Sequence, residues 1–280
     1  MRLLWSQRSL NCVHPIVWEQ GNHRFSFFSE NGDFVKIIKP LTSLRIKDIS
    51  VVSGGTFIIE TELNQHPGKN GQICALDLYS AAFNHTRSIY KQDVLRSLQL
   101  TDPVKINISV PYSPDVSWDV MPNGNIVIGF QKNYEIGVFD PGKGKLFSFK
   151  HQVKAIKITA QDKQKVYDSY RVVTAPGKVK EPPRKLLEKI PFPLYRPAFG
   201  RIIADPENNI LVFPAMSVGD EKYSHFDTFD SSGRFIKKVQ LKGEIDVPIK
   251  ILFNSVHHIW CLHIEGWYDY TICKYRIVSN

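Results

Sequence analysis

Long hydrophobic runs are missing from this sequence. None approaches the roughly 18–20 apolar residues that a membrane-crossing helix needs, so no transmembrane segment is expected. The start, MRLLWSQRSLNCVHP, lacks the apolar core of an export signal, and the residues before Cys12 make a poor lipoprotein cleavage box. Cysteine is scarce: Cys12, Cys74, Cys261 and Cys273 show no CxxC spacing, which argues against a zinc ribbon. GxSxG, GxxxxGK(S/T) and GxGxxG are absent, and with them the nucleophile elbow, the P-loop and the dinucleotide fingerprint. On these grounds no residue is assigned a catalytic or metal role, the ligand-binding residues stay unknown, and no cofactor is expected.

The 42% of apolar and 12% of aromatic residues are ample for a packed core. The net charge of +9 is local. Segment 143–189 holds thirteen Lys and Arg against four Asp and Glu, which is +9 by itself, and the rest of the chain is balanced.

One stretch organises the remainder. Residues 199–241, FGRIIADPENNILVFPAMSVGDEKYSHFDTFDSSGRFIKKVQL, read as four short strands joined by three turns. Apolar or alternating runs at 201–204, 210–213, 223–230 and 235–241 are separated by Pro, Asn, Asp and Gly. About 40 residues in four antiparallel strands is the size of one β-propeller blade. Pro122-Asn123-Gly124-Asn125 before Ile126 matches Pro206-Glu207-Asn208-Asn209 before Ile210, at an offset of 84 residues. That offset means two blades, or one blade with an insertion between. The run from Phe28 to Gly32, then Phe34-Val35-Lys36, likewise matches Phe229 to Gly233, then Phe235-Ile236-Lys237. Units at about 1–40, 44–90 and 247–280 bring the blade-like units to five, the last with three strands. Between the second and third, 91–100 reads as a short helix because Val94, Leu95 and Leu98 fall at helical spacing.

Residues 151–197 favour the insertion. Thr159 and Asp162 form a capping-box variant, and Val166, Tyr167, Tyr170 and Val173 predict a helix over about 160–172. Six prolines then argue for an extended connection with a short helix over 184–189. In the last unit, a turn centred on Trp267 would place Cys261 opposite Cys273.

These features resemble the bacterial six-bladed β-propellers related to NHL-repeat and TolB-like proteins: the Pro-Asn-Gly-Asn-Ile turn, the strand 134–140 before a Gly turn, the run 229–237, and the Thr159 helix ahead of Ile190-Pro191-Phe192-Pro193. The resemblance implies an all-β propeller of four-stranded antiparallel blades, with a helix-containing insertion at about 151–197. It also implies an extracytoplasmic setting (periplasmic, lipoprotein or secreted), although this chain shows no intact signal peptide. The chain is expected to be one domain over 1–280. Either the ring lacks a blade beside the first unit, or an N-terminal strand (3–6 or 13–19) closes a five-bladed ring.

Propellers bind at the mouth of the central channel. The preferred expectation is a protein that binds a small molecule or a protein there without catalysis; the alternative is a metal-assisted, lactonase-like hydrolase or lyase. Such an enzyme would gather carboxylates around a divalent cation. Asp48, Asp119, Asp205 and Asp246 are the candidates, against the commoner role of Asp as a turn cap. His257 and His263 share a strand face but lie about 20 Å apart, too far for one ion, and His258 opposes both. Trp118, Tyr134, Trp260, Trp267 and Tyr275 could stack a sugar or a base, though aromatics also fill the wedge between blades, and only Trp267 at its turn tip is poorly explained that way. The basic segment 143–189 suits an acidic partner. Its few aromatics argue against nucleic acid.

Overall fold

The computed structural model describes residues 2–4, 16–19, 22, 24–29, 31, 33–39, 45–52, 55–64, 71–100, 106–170, 172–175, 178–216, 222–246, 250–255, 258–265 and 269–276, the last strands by their backbone only. The first sheet is β1 (Arg2–Leu4), β2 (Ile16–Glu19), β3 (Arg24–Phe28) and β4 (Phe34–Ile38). The second is β5 (Ile46–Val51), β6 (Phe57–Asn64), β7 (Gln72–Tyr79) and β8 (His85–Val94). A hairpin follows, β9 (Ser97–Leu100) with β10 (Ile106–Ser109). The third sheet is β11 (Val116–Val120), β12 (Ile126–Phe130), β13 (Glu135–Asp140) and β14 (Gly144–Lys150). Next come α1 (Ala160–Ser169), the pair β15 (Val172–Ala175) and β16 (Lys178–Lys180), and α2 (Arg184–Leu187). The fourth sheet is β17 (Arg201–Ala204), β18 (Ile210–Phe213), β19 (Lys222–Phe229) and β20 (Phe235–Asp246). The fifth is β21 (Lys250–Ser255), β22 (His258–Glu265) and β23 (Asp269–Arg276). In each of the five, sequence neighbours pair antiparallel, as in a meander.

The first four sheets stack face to face. Phe25 and Phe27 of the first pack with Ile49, Phe57 and Ile59 of the second. Ile58, Leu76 and Leu78 of the second meet Val120, Ile126 and Ile128 of the third. Val127, Ile136 and Val138 of the third meet Ile202, Ile210 and Val212 of the fourth. A middle strand is therefore buried on both faces, which is why β12 and β18 read as continuous apolar runs rather than alternating ones. Each fully buried Phe, Ile or Leu contributes about 1.5–3 kcal/mol of transfer free energy. The outer strand β14 is mostly exposed.

The matching turns are next to one another. The Asn123 N–H donates to Asn208 Oδ1 at 2.9 Å, the Ile202 N–H to Ser117 Oγ at 2.8 Å, and the Ala204 N–H to Asp119 Oδ2 at 2.8 Å. The offset of 84 is thus one blade with an insertion. Gly124 (φ 85°) and Asn208 (φ 66°), the equivalent residues, both take the left-handed conformation that the turn demands.

The insertion is not a blade. Its helix starts as expected: Thr159 Oγ1 accepts from the Asp162 N–H at 3.1 Å, and Asp162 Oδ2 accepts from the Thr159 N–H at 2.8 Å. It ends at Ser169 instead of running to 172, because Val172 and Val173 pair with Lys180 and Val179. The second helix likewise stops early, at Leu187.

Residues 91–100 form no helix. Val94 closes β8 opposite Gln72, and the Gln72 side chain ties the bend by accepting from the Arg96 N–H at 3.0 Å and donating to Ser97 O at 3.2 Å. Leu98 packs with Ile108, Val110, Leu186, Leu187 and Ile190. Of the three apolar residues at helical spacing, Leu95 and Leu98 serve this long-range cluster, while Val94 packs between the second and third sheets. The N-terminal strands 3–6 and 13–19 do not close a ring through the last unit: Arg2–Leu4 and Ile16–Glu19 pair with each other in the first sheet, and among the described residues no N-terminal strand joins the fifth. There, Cys261 stands opposite Cys273, as expected.

Candidate functional site

Two strands of the third sheet end in a pair of rings. Tyr134 immediately precedes β13 and His151 immediately follows β14, and the His151 N–H donates to Tyr134 O at 3.0 Å. The facing strands of the fourth sheet supply the rest. His225 and Asp227 lie two apart on β19 and so share a face, and β20 places Lys238 opposite Asp227. Sheet stacking brings the two sets together. The Tyr134 hydroxyl donates to Asp227 Oδ2 at 3.0 Å, His151 Nε2 lies 4.0 Å from the same oxygen, and Lys238 Nζ lies 3.7 Å from Oδ1.

Burial decides the protonation states. Loss of water, then the Asp227 charge, pushes the Tyr134 phenol far above its usual range, so it stays a donor. His225 is held below the ordinary imidazole value by burial and by the Lys238 charge, against the opposing pull of Asp227. It is therefore a neutral base at pH 7. The His151 ring is fixed from three sides, stacked on Phe235 at 5.0 Å and edge-on to Tyr134 at 5.2 Å and Phe229 at 5.3 Å.

These residues line a groove of about 780 Å³. Lys132, Lys150, Lys154, Arg196 and Lys238 face Glu135 and Asp227 around it, so its field is positive. Its rim is a strap made by the two limbs of the insertion: the Ile158 N–H donates to Leu194 O at 3.1 Å and the Arg196 N–H to Ile156 O at 2.9 Å. Arg196 is anchored in turn by Asp162, at 2.7 Å.

The carboxylates considered for a metal do not converge. Asp48 accepts from the Ile49 N–H at 2.9 Å, Asp119 from the Val120 and Ala204 N–H groups, and Asp205 from the Glu207 and Asn209 N–H groups. The side chains of Asp246, His258, His263, Trp260 and Tyr275 lie outside the described residues, as do His257 and Trp267 altogether. Among the described residues no group of three or more His, Cys, Asp or Glu could hold an ion, so a lactonase-like metal site does not fit them. Trp118 is a half-buried wedge aromatic whose indole N–H donates to Glu60 at 2.8 Å. Tyr134 also packs between sheets, but its hydroxyl forms the groove floor.

Sequence reasoning named Tyr134 and missed His151, His225, Asp227 and Lys238. A signal existed in the alternation of YSHFDTF, which puts His225 and Asp227 on one face of a strand whose neighbours are apolar. It missed a second cluster too. Arg96 bridges Glu60 at 2.5 Å and Asp115 at 2.6 Å, with Glu62 at 3.4 Å, and so ties the β9–β10 hairpin to the second and third sheets. Burial raises the Glu60 carboxyl above its usual range in spite of that partner.

The arrangement is propeller-like. No protein-family model and no curated protein matches the chain. Among solved structures, a streptogramin B lyase aligns at 12% identity and a TM-score of 0.44, over 99% of this chain and 69% of its own. A virginiamycin B lyase from Staphylococcus aureus aligns at 10% identity and 0.41, over 99% and 71%. A catalytically inactive form of the latter, with quinupristin, aligns at 13% identity and 0.39, over 98% and 84%. The likeness is distant and broad, and it does not single out NHL-repeat or TolB-like propellers. The solved structures that align include lyases, and the expectation of binding without catalysis is not carried further. No described helix is long and apolar enough to cross a membrane.

Proposed function

We propose that this propeller is an acid–base enzyme of the lyase kind, acting in the basic groove on a substrate that carries a carbonyl group and negative charge. The observation behind this reading is the neutral imidazole of His225, held on the strand pair that also carries Lys238 and the buried Asp227. A base of depressed pKa beside fixed cations is suited to removing a proton next to a carbonyl.

In the step proposed, His225 takes the proton from the carbon next to the carbonyl. The electron pair moves toward the carbonyl oxygen, where Lys238 and Arg196 supply positive charge. It then returns to form the C=C bond as the bond to the leaving group on the neighbouring carbon breaks. His151 gives its proton to the leaving group, with Asp227 Oδ2 4.0 Å from its Nε2. Water then removes the proton from His225 and restores that of His151. Tyr134 does not react; it orients Asp227 from a hydroxyl that burial keeps protonated.

The test is turnover of a panel of esters and lactones with an acidic α-proton, followed by the ultraviolet absorbance of the conjugated product. His225→Gln is expected to lower kcat by about 10²–10⁴-fold with KM little changed. Turnover by this variant equal to that of the parent protein would overturn the assignment.

A further inference from the structure

A second groove, of about 840 Å³, lies across the strap from the first. Lys132, Asn133, Tyr195 and Arg196 line both, so the two cavities abut along one wall. Their chemistry differs. Leu95, Val110, Phe130, Phe192 and Leu194 give the second groove apolar walls, whereas Lys150, Lys154 and Lys238 belong to the first alone. The strap also presents apolar groups to water, with Ile156 54% and Leu194 61% exposed. Both volumes fall in the range typical of small-molecule sites.

We infer that the two grooves are one extended site for an amphipathic carboxylate, its anionic head among the lysines and its aliphatic tail against Leu95, Phe130, Phe192 and Leu194. The charge asymmetry sets the orientation: a tail placed among Lys150, Lys154 and Lys238 would strip water from cations without replacing it, and a head in the second groove would meet Asp93 with only Lys132 and Arg196 of the shared wall to offset it, whereas the first groove adds three lysines to these against Glu135 and Asp227. Covering Leu194 and the other apolar side chains of the second groove supplies the driving force. The inference rests on the acid–base reading only for the role of the head group; the binding it predicts is independent of turnover.

The experiment is calorimetric titration of the full chain with straight-chain carboxylates from butanoate to dodecanoate, below the micelle concentration, with 1-dodecanol as the neutral control. Affinity is expected to rise about fourfold per added methylene until the tail fills the second groove, consistent with about 0.8 kcal/mol per buried CH₂. Dodecanol should bind more weakly than dodecanoate. Leu194→Gln, at an exposed position that does not endanger folding, should weaken dodecanoate and leave butanoate unchanged, and Lys238→Met should weaken both. Affinity independent of chain length, dodecanol binding as well as dodecanoate, or dodecanoate unaffected by Leu194→Gln would each overturn the inference. If chain length has no effect while turnover still depends on His225, this inference fails alone; the reverse result sinks the acid–base reading alone.

Discussion

Asp162 joins two structures that the sequence keeps apart, and its removal can be costed. One carboxylate oxygen closes the capping box of α1, accepting from the Thr159 N–H and hydroxyl at 2.8 Å each. The other pairs with Arg196 at 2.7 Å, where the two side chains are 8% and 18% exposed. Losing the cap costs about 1 kcal/mol. Stranding a fully buried partner costs about 3–5 kcal/mol; the residual exposure of Arg196 and its place over the Tyr112 ring reduce this to about 2 kcal/mol. Asp162→Ala should therefore destabilise the protein by about 3 kcal/mol, and Thr159→Ala by about 1 kcal/mol. In urea, with a slope of about 1–3 kcal/mol per molar, the first variant lowers the midpoint by about 1 M or more at unchanged slope. A cycle with Arg196→Ala should return a coupling of about 2 kcal/mol. The sign of the pH dependence is set by the donation from the Thr159 amide, which, with Arg196 and against burial, holds the Asp162 carboxyl below its ordinary 3.8. The stabilisation is complete above the unfolded value of 3.8 and is lost as the pH falls through the folded one. Equal destabilisation by Asp162→Ala and Thr159→Ala at pH 7 would refute the role given to Arg196.

Three further outcomes are expected. Gly129→Ala would bring a Cβ to 2.7 Å from the Ile202 and Phe199 side chains, wedging the third sheet off the fourth; a loss of about 1–3 kcal/mol in thermal unfolding is expected, and a neutral effect would show that the interface yields. Because His225 titrates below the usual 6.5, the acid limb of the kcat/KM profile should have its midpoint below that value, and an acid limb centred at or above pH 6.5 would remove His225 as the base. The Cys74 thiol is fully buried and is pushed up by burial and by Glu60, so mass-spectrometric mapping of alkylation should find it unmodified in the folded protein and modified after unfolding.

Most of the blade pattern was legible because turns and strands are set by neighbours in the chain. Pro122 to Asn125, Pro206 to Asn209 and Ser231 to Gly233 stop and reverse the chain through local chemistry, and the intervening runs are too apolar for anything but doubly buried strands. The Thr159 cap and the Cys261–Cys273 register were readable for the same reason, since each depends on a count of a few residues. Residues 91–100 misled because helical spacing is also what a bend and a hairpin can satisfy once Leu186, Leu187 and Ile190 arrive from elsewhere. The groove was not legible. Tyr134 and Asp227 are 93 residues apart, as Trp118 and Glu60 are 58, and no local preference measures such separations. Local sequence determined which segments become strands and where they turn. The β19–β20 pair by itself sets His225, Asp227 and Lys238 side by side; that Tyr134 and His151 join them, that the carboxylate is buried and that the imidazole is depressed were decided only when the third and fourth sheets stacked, because burial exists only in that packing.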